Sequence, residues 1–176
     1  MNTVQLDHER ILRLMTERAE GLSAIGVKAG IRVVGGAAIG FMDAGRRSTV
    51  DVDAAISPAA PVLEVARQMA AEHGLPSNWL NQGALAFVPP VGSGDWRDVV
   101  RRGDVVVQIA SAELLLAMKL YANRGIRDTD DIEFLLAHCR IESVEEAQEI
   151  YERYHAQDVL TDSAAARVQA WLDSRR

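Results

Sequence analysis

Residues 33–53, VVGGAAIGFMDAGRRSTVDVD, constrain this chain more than any other stretch. The run IRVV is apolar and β-branched, which suits a pleated strand, and Gly35-Gly36 ends it in a tight turn. AAIGFMDAG then carries helix formers up to Gly45, so the turn opens into a short helix. After the polar RRST, the segment VDVDAAI alternates. Asp51 and Asp53 share one face, and Val50, Val52 and Ala54 share the other, which predicts a second strand. Strand, turn, short helix and strand in immediate succession call for a sheet with helices packed against it.

The flanking segments extend this plan. Residues 7–26 place Ile11, Leu12, Met15, Ala19 and Leu22 at helical spacing, and PVLEVARQMAAEHG is helical from its proline start to its glycine stop. GALAFVPP and DVVVQIA read as two further strands, separated by a loop, VGSGDWRDVVRRG. From Ser111 onward the chain is helical throughout, with Ser111 as one N-cap and Ser143 with Glu146 forming a capping box. The expected fold is therefore α+β. A core of about four strands with helices spans residues 1–110, and a helical bundle of about four helices spans 111–176.

A formal charge of −6 excludes a broad, sequence-independent grip on nucleic acid, which needs many lysines and arginines to release counterions. A single cysteine, Cys139, excludes an internal disulfide and sits in an apolar helical context as a small buried hydrophobe. The N-terminus lacks the pattern of a signal peptide and no apolar run reaches membrane-spanning length, so the expected location is the cytoplasm, with no membrane partner.

Two carboxylates on one strand face repel each other unless a cation lies between them. Hard oxygen ligands at that spacing suit Mg²⁺, which usually completes its shell with water and substrate phosphates. The glycine turn supplies exposed backbone N–H groups and no Cβ to obstruct a phosphate. Lys119 stands inside an apolar helical run, where an ammonium must either reach solvent or meet an anion. Arg127, Asp128, Asp130 and Asp131 follow at the start of the next helix, where acids favour the positive dipole end. His8, His73, His138 and His155 show no metal-ligand spacing. Trp79 and Trp96 serve either packing or base stacking, and Arg97, Arg101 and Arg102 form the best local basic patch, suited to an RNA acceptor or to water.

Taken together, GGAA, RRSTVDVD and the succession of Lys119, Arg127-Asp128 and Asp130-Asp131 resemble the polymerase-β-like nucleotidyltransferases, in particular the AbiEii-like and MenT-like toxin enzymes of type IV toxin-antitoxin systems. The resemblance covers residues 31–57 and 111–136. It implies a nucleotidyltransferase-type mixed sheet, with Gly35, Gly36, Arg47 and Thr49 at the nucleotide and Asp51 and Asp53 as Mg²⁺ ligands. It further implies Lys119 at the triphosphate and Asp131 as the catalytic acidic residue that closes the site from the helical half. Many members carry serine where this chain has Gly36. The third carboxylate that many carry on a later strand falls either to Asp104, at the edge of GDVVVQIA, or to Asp131. The implied activity is transfer of a nucleoside monophosphate from an NTP to a hydroxyl of RNA (tRNA among them) or protein, with an antitoxin as partner. The alternatives are a small-molecule nucleotidyltransferase of the aminoglycoside type, and a non-catalytic nucleotide-binding or interaction module that keeps the fold.

Overall fold

The structure is a computed structural model that describes residues 5–43, 48–90 and 93–175. It contains seven α-helices and five strands in the described residues: α1 (His8–Ala24), β1 (Ala29–Val33), α2 (Gly35–Gly40), β2 (Val52–Ser57), α3 (Ala59–His73), β3 (Leu80–Asn81), β4 (Trp96–Arg102), β5 (Val105–Ala110), α4 (Ala112–Ala122), α5 (Thr129–His138), α6 (Val144–Tyr154) and α7 (Asp162–Asp173). The chain divides into two compact units. One comprises Met1–Ala86 with Trp96–Ala110, and the other Phe87–Asp95 with Ser111–Arg176.

The first unit is built on a mixed sheet of order β3-β2-β1-β5-β4. Central β1 runs antiparallel to β2 and parallel to β5, while β4 and β5 form an antiparallel hairpin. Alternation sorts the side chains: Ala29, Ile31 and Val33 on β1, Val52, Ala54 and Ile56 on β2, and Val105, Val107 and Ile109 on β5 are all buried. Helix α1 packs against α3, β4 and β5, and presents Ile11, Leu14, Met15, Ala19 and Leu22 to the core. It starts at Asp7, whose carboxylate accepts the Arg10 N–H at 2.7 Å.

Three strand assignments differ from the sequence reading. GALAFVPP is not a strand: Leu85–Phe87 form a 3-10 turn, and Pro89-Pro90 lack the N–H donors that a ladder requires. The sheet instead gains the two-residue β3, which pairs Val52 with Leu80 and Asp53 with Asn81. The segment expected as a loop supplies β4, so the sheet has five strands rather than about four. Its hairpin places Arg102 opposite Val105 across the two-residue turn Gly103-Asp104, with Gly103 at φ +53.

The second unit is helical. Helix α4 is apolar nearly all round, burying Leu114, Leu115, Leu116, Ala117, Met118 and Leu120, and both α5 and α6 pack on it. The segment Phe87–Asp95, assigned from sequence to the sheet half, belongs here. The Asp95 carbonyl accepts the Ser111 N–H at 2.8 Å, the Asp95 carboxylate accepts the Tyr154 hydroxyl at 2.5 Å, and Phe87 meets Tyr121 edge-on at 6.3 Å. Burial and that carboxylate acceptor push the Tyr154 phenol up to about 12. After α5, Arg140 takes a left-handed conformation, φ +57, and donates its N–H to the Ala137 carbonyl at 3.1 Å. Glycine is the usual residue at this kind of helix stop.

Candidate functional site

The sheet unit brings Asp51, Asp53, Gly35, Gly36 and Thr49 together at one end of β1 and β2. Gly35 follows β1 directly and sits at φ +64, a conformation that glycine reaches at little cost. Val34 donates its N–H to the Asp53 carbonyl at 2.9 Å, which fixes the turn against β2. A Cβ on Gly35 would lie 3.6 Å from Asp53 Oδ2, so the carboxylate rests against bare backbone. A Cβ on Gly36 would lie 3.7 Å from Thr49 Oγ1. Thr49 is itself held by paired backbone hydrogen bonds with Leu6, at 2.7 and 2.9 Å. Asp53 lies on β2, whereas Asp51 stands one residue before the strand, in a bend rather than in the expected ladder.

Two contributors were not foreseen. Asn81, opposite Asp53 in the ladder, donates its amide to Asp51 Oδ2 at 3.3 Å and accepts the Gly83 N–H on its own Oδ1 at 2.7 Å. A Cβ on Gly83 would meet Asn81 Oδ1 at 2.9 Å and Asp53 Oδ1 at 3.2 Å. The Asp53 carboxylate therefore lies between the backbones of Gly35 and Gly83, and Asn81 ties Asp51 into the same cluster. The signal in the sequence was Asn-x-Gly, where an asparagine side chain caps the N–H two residues on.

Asp104 is not part of this cluster. β1 and β5 run parallel, with Ala29 opposite Val105 at one end and Val33 opposite Ile109 at the other. Asp104 precedes Val105, accepts the Ala29 N–H on its carbonyl and pairs with Lys28 Nζ at 3.1 Å. Gly35 lies beyond the opposite end of β1, so Asp104 is about 20 Å away along the strand and cannot complete a metal site with Asp53. Arg47 lies outside the described residues.

The sheet face that bears Asp53 and Ala55 also carries a polar chain across β1, β5 and β4. Arg32 Nε donates to Gln108 Oε1 at 3.2 Å, Gln108 Nε2 donates to Asp98 Oδ1 at 2.8 Å, and Arg101 donates to Asp98 Oδ2 at 2.5 Å. Hydrogen bonds from Gln108 and Arg101 hold the Asp98 carboxyl below the usual range. The Arg32 guanidinium lies 5.1 Å from the Trp96 ring centre, and Trp96 is buried. Trp79 is buried too and donates its indole N–H to the Ala66 carbonyl at 2.9 Å, so packing accounts for it. The expected basic patch is a strand, with Arg101 paired to Asp98 and Arg102 to Glu20.

In the helical unit, Lys119 is only 8% exposed. Its ammonium meets Asp128 at 2.8 Å and Asp131 at 2.7 Å, so the expected anion is supplied by two carboxylates of the same unit. Asp128 is fully buried and also accepts three hydrogen bonds from Arg124: its N–H at 3.1 Å, Nε at 3.1 Å and Nη2 at 3.2 Å. Tertiary packing also brings His73 together with Glu17 and Glu72 across α1 and α3, a grouping invisible in sequence spacing. All three are exposed, and the 2.9 Å bond between His73 and Glu17 reads as an interhelical tie.

No protein-family model, no curated protein and no solved structure matches this chain. Among the described residues, no helix is long and apolar enough to cross a membrane.

Proposed function

We propose that this chain is a Mg²⁺-dependent nucleotidyltransferase with a nucleotidyltransferase-type sheet. In this reading it works in the cytoplasm, moving a nucleoside monophosphate from an NTP to a hydroxyl of RNA or protein, as the toxin-like member of a toxin-antitoxin pair. The observation that carries the reading is the Asp53 carboxylate set between two bare glycine backbones, with Asp51 tied to it through Asn81. The donor chemistry fits Mg²⁺: two carboxylates and an amide oxygen are hard ligands, and among the described residues no Cys or His groups with the two aspartates.

Asp51 and Asp53 would hold the cation, which when bound supplies positive charge to offset that of the triphosphate. The chain's own residues supply position. The glycine at φ +64 puts no side chain of its own against the Asp53 carboxylate, and Asn81 orients Asp51. Thr49, paired with Leu6 through two backbone hydrogen bonds, lies beside the Gly36 backbone. Such placement is worth much in phosphoryl transfer, where alignment and charge neutralisation lower most of the barrier.

The test is incubation of purified protein with Mg²⁺ and each α-labelled NTP, against total tRNA, a cell lysate and aminoglycosides. Label is expected in one acceptor class, and is expected to vanish in Asp51→Asn and Asp53→Asn proteins whose circular dichroism and melting match wild type. Full activity in both variants would overturn the reading. Lys119→Ala is a separate arm: lowered triphosphate affinity supports a phosphate role, and lost stability alone assigns it wholly to Asp128 and Asp131.

One observation favours a second reading. Among the described residues, no third His, Cys, Asp or Glu ligand atom clusters with Asp51 and Asp53. A nucleotide-binding module without transfer would show Mg²⁺-dependent NTP binding and no labelled product.

A further inference from the structure

The ends of α5 and α7 border an open cavity of about 420 Å³, lined by Arg140, Ile141, Glu142, Trp171, Leu172 and Arg175. All of these residues lie within the helical unit. Ile141 and Trp171 are buried and form an apolar wall, while two guanidiniums and one carboxylate stand exposed around it. The Arg175 guanidinium lies over the Trp171 ring at 4.5 Å, so the indole face already receives a flat, delocalised group. Arg140 contributes its charge from a left-handed backbone, φ +57, where glycine would make the same N–H bond to Ala137 without strain. Nothing in the helix stop requires an arginine; the cavity gives its side chain a use.

We propose that this cavity binds a nucleoside monophosphate unit. The doubly charged phosphate is met by Arg140 and Arg175, since planar guanidiniums match a tetrahedral oxyanion in charge and hydrogen-bond geometry. The base lies beside the Arg175 guanidinium, against the apolar wall of Ile141 and Trp171. Glu142 faces the same space and can accept from a sugar hydroxyl or an exocyclic amine. Phosphate alone would leave the apolar wall unused, and a nucleoside alone would leave two cations unmatched. The cavity size falls in the range of small-molecule sites.

Tryptophan fluorescence tests this in the full chain. Trp79 and Trp96 are buried in the sheet unit, so the difference between wild type and Trp171→Phe isolates the signal at the cavity. The probes are AMP, UMP, adenosine, inorganic phosphate and a short single-stranded RNA. Saturable quenching by the mononucleotides or the RNA is expected, weakened at least about tenfold in Arg175→Gln and in Arg140→Gly. Arg140→Gly relieves the left-handed strain and is expected to melt at or above wild type, which separates ligand loss from misfolding. Tighter binding of AMP than RNA assigns the site to free nucleotide, and the reverse assigns it to a nucleotide within a strand. The double variant Asp51→Asn/Asp53→Asn is expected to bind as wild type does, whatever the fate of the proposed transferase activity. Four results would overturn the proposal: no saturation by any probe, equal response to adenosine or phosphate alone, indifference to both arginine substitutions, or loss in the aspartate double variant.

Discussion

Asp128 offers the sharpest quantitative test of how the helical unit is held together. It is fully buried, and burial by itself would raise its pKa; hydrogen bonds from Arg124 and Lys119 outweigh that and bring the carboxyl down from 3.8 to about 2. A depression of that size is worth about 2 kcal/mol of stability, at 1.36 kcal/mol per unit. The sign follows from the direction. A carboxyl that ionises more readily in the folded state stabilises the fold above its unfolded pKa, near 4, and that contribution drains away as the pH falls towards 2. Asp128→Asn keeps the shape and removes the charge, and Lys119 keeps its pairing with Asp131. Its cost near neutrality should be about 3 kcal/mol, the low end for breaking a buried ion pair. Denaturant unfolding of wild type and variant across pH 7 to 2.5 isolates the site, because every acid except Asp131, which shares Lys119, cancels in the difference. That difference should stay level down to about pH 5, then shrink by about 1.5 kcal/mol by pH 2.5. A difference that remains level throughout, or widens in acid, would refute the assignment.

Two further perturbations probe the sheet unit. Arg18 is 0% exposed on α1, its guanidinium Nη1 donates to Met69 Sδ at 3.9 Å, and its Nε and Nη2 have no partner among the described residues. Desolvation lowers its pKa to about 10, and Arg18→Met is expected to stabilise the protein by about 1–3 kcal/mol in chemical denaturation, with a loss of stability counting against the burial argument. Gly35→Ala forces a side chain to φ +64 and puts a methyl 3.6 Å from Asp53 Oδ2, so it should cost about 1–2 kcal/mol in thermal unfolding and reduce Mg²⁺-nucleotide binding more than that loss explains.

Elements with strong local signals were legible in the sequence. Periodicity and caps marked α1 and α3 to α7, and β-branched alternation marked β1, β2 and β5. The Gly35-Gly36 turn and the Asp51–Asp53 pair were legible because both depend on neighbours in sequence. What failed depended on partners far along the chain. β4 looked like a loop because its arginines and Trp96 break the alternation, and a bulge between Asp98 and Val100 shifts its register. The two-residue Gly103-Asp104 turn was the available clue to the hairpin. β3 is too short to carry a pattern, yet it places Asn81 beside the aspartates. Asp104 misled because proximity in sequence to a strand says nothing about which end of the sheet it occupies. Lys119 was flagged by its apolar surroundings, but only the packing of α5 on α4 reveals that Asp128 and Asp131 answer it.

The parallel pairing of β1 with β5 has a consequence for how the protein is made. The two strands lie 76 residues apart in sequence, as the Arg32–Gln108 bond records. A ribosome adding roughly 5–20 residues per second leaves one edge of β1 uncovered for about 4–15 s after that strand is synthesised. β2 can close the other edge early, since it follows within one short helix and loop. Any fragment that stops short of Val105 keeps a Val- and Ile-bearing edge open, so nascent or truncated chains should be the species that aggregate and that chaperones hold.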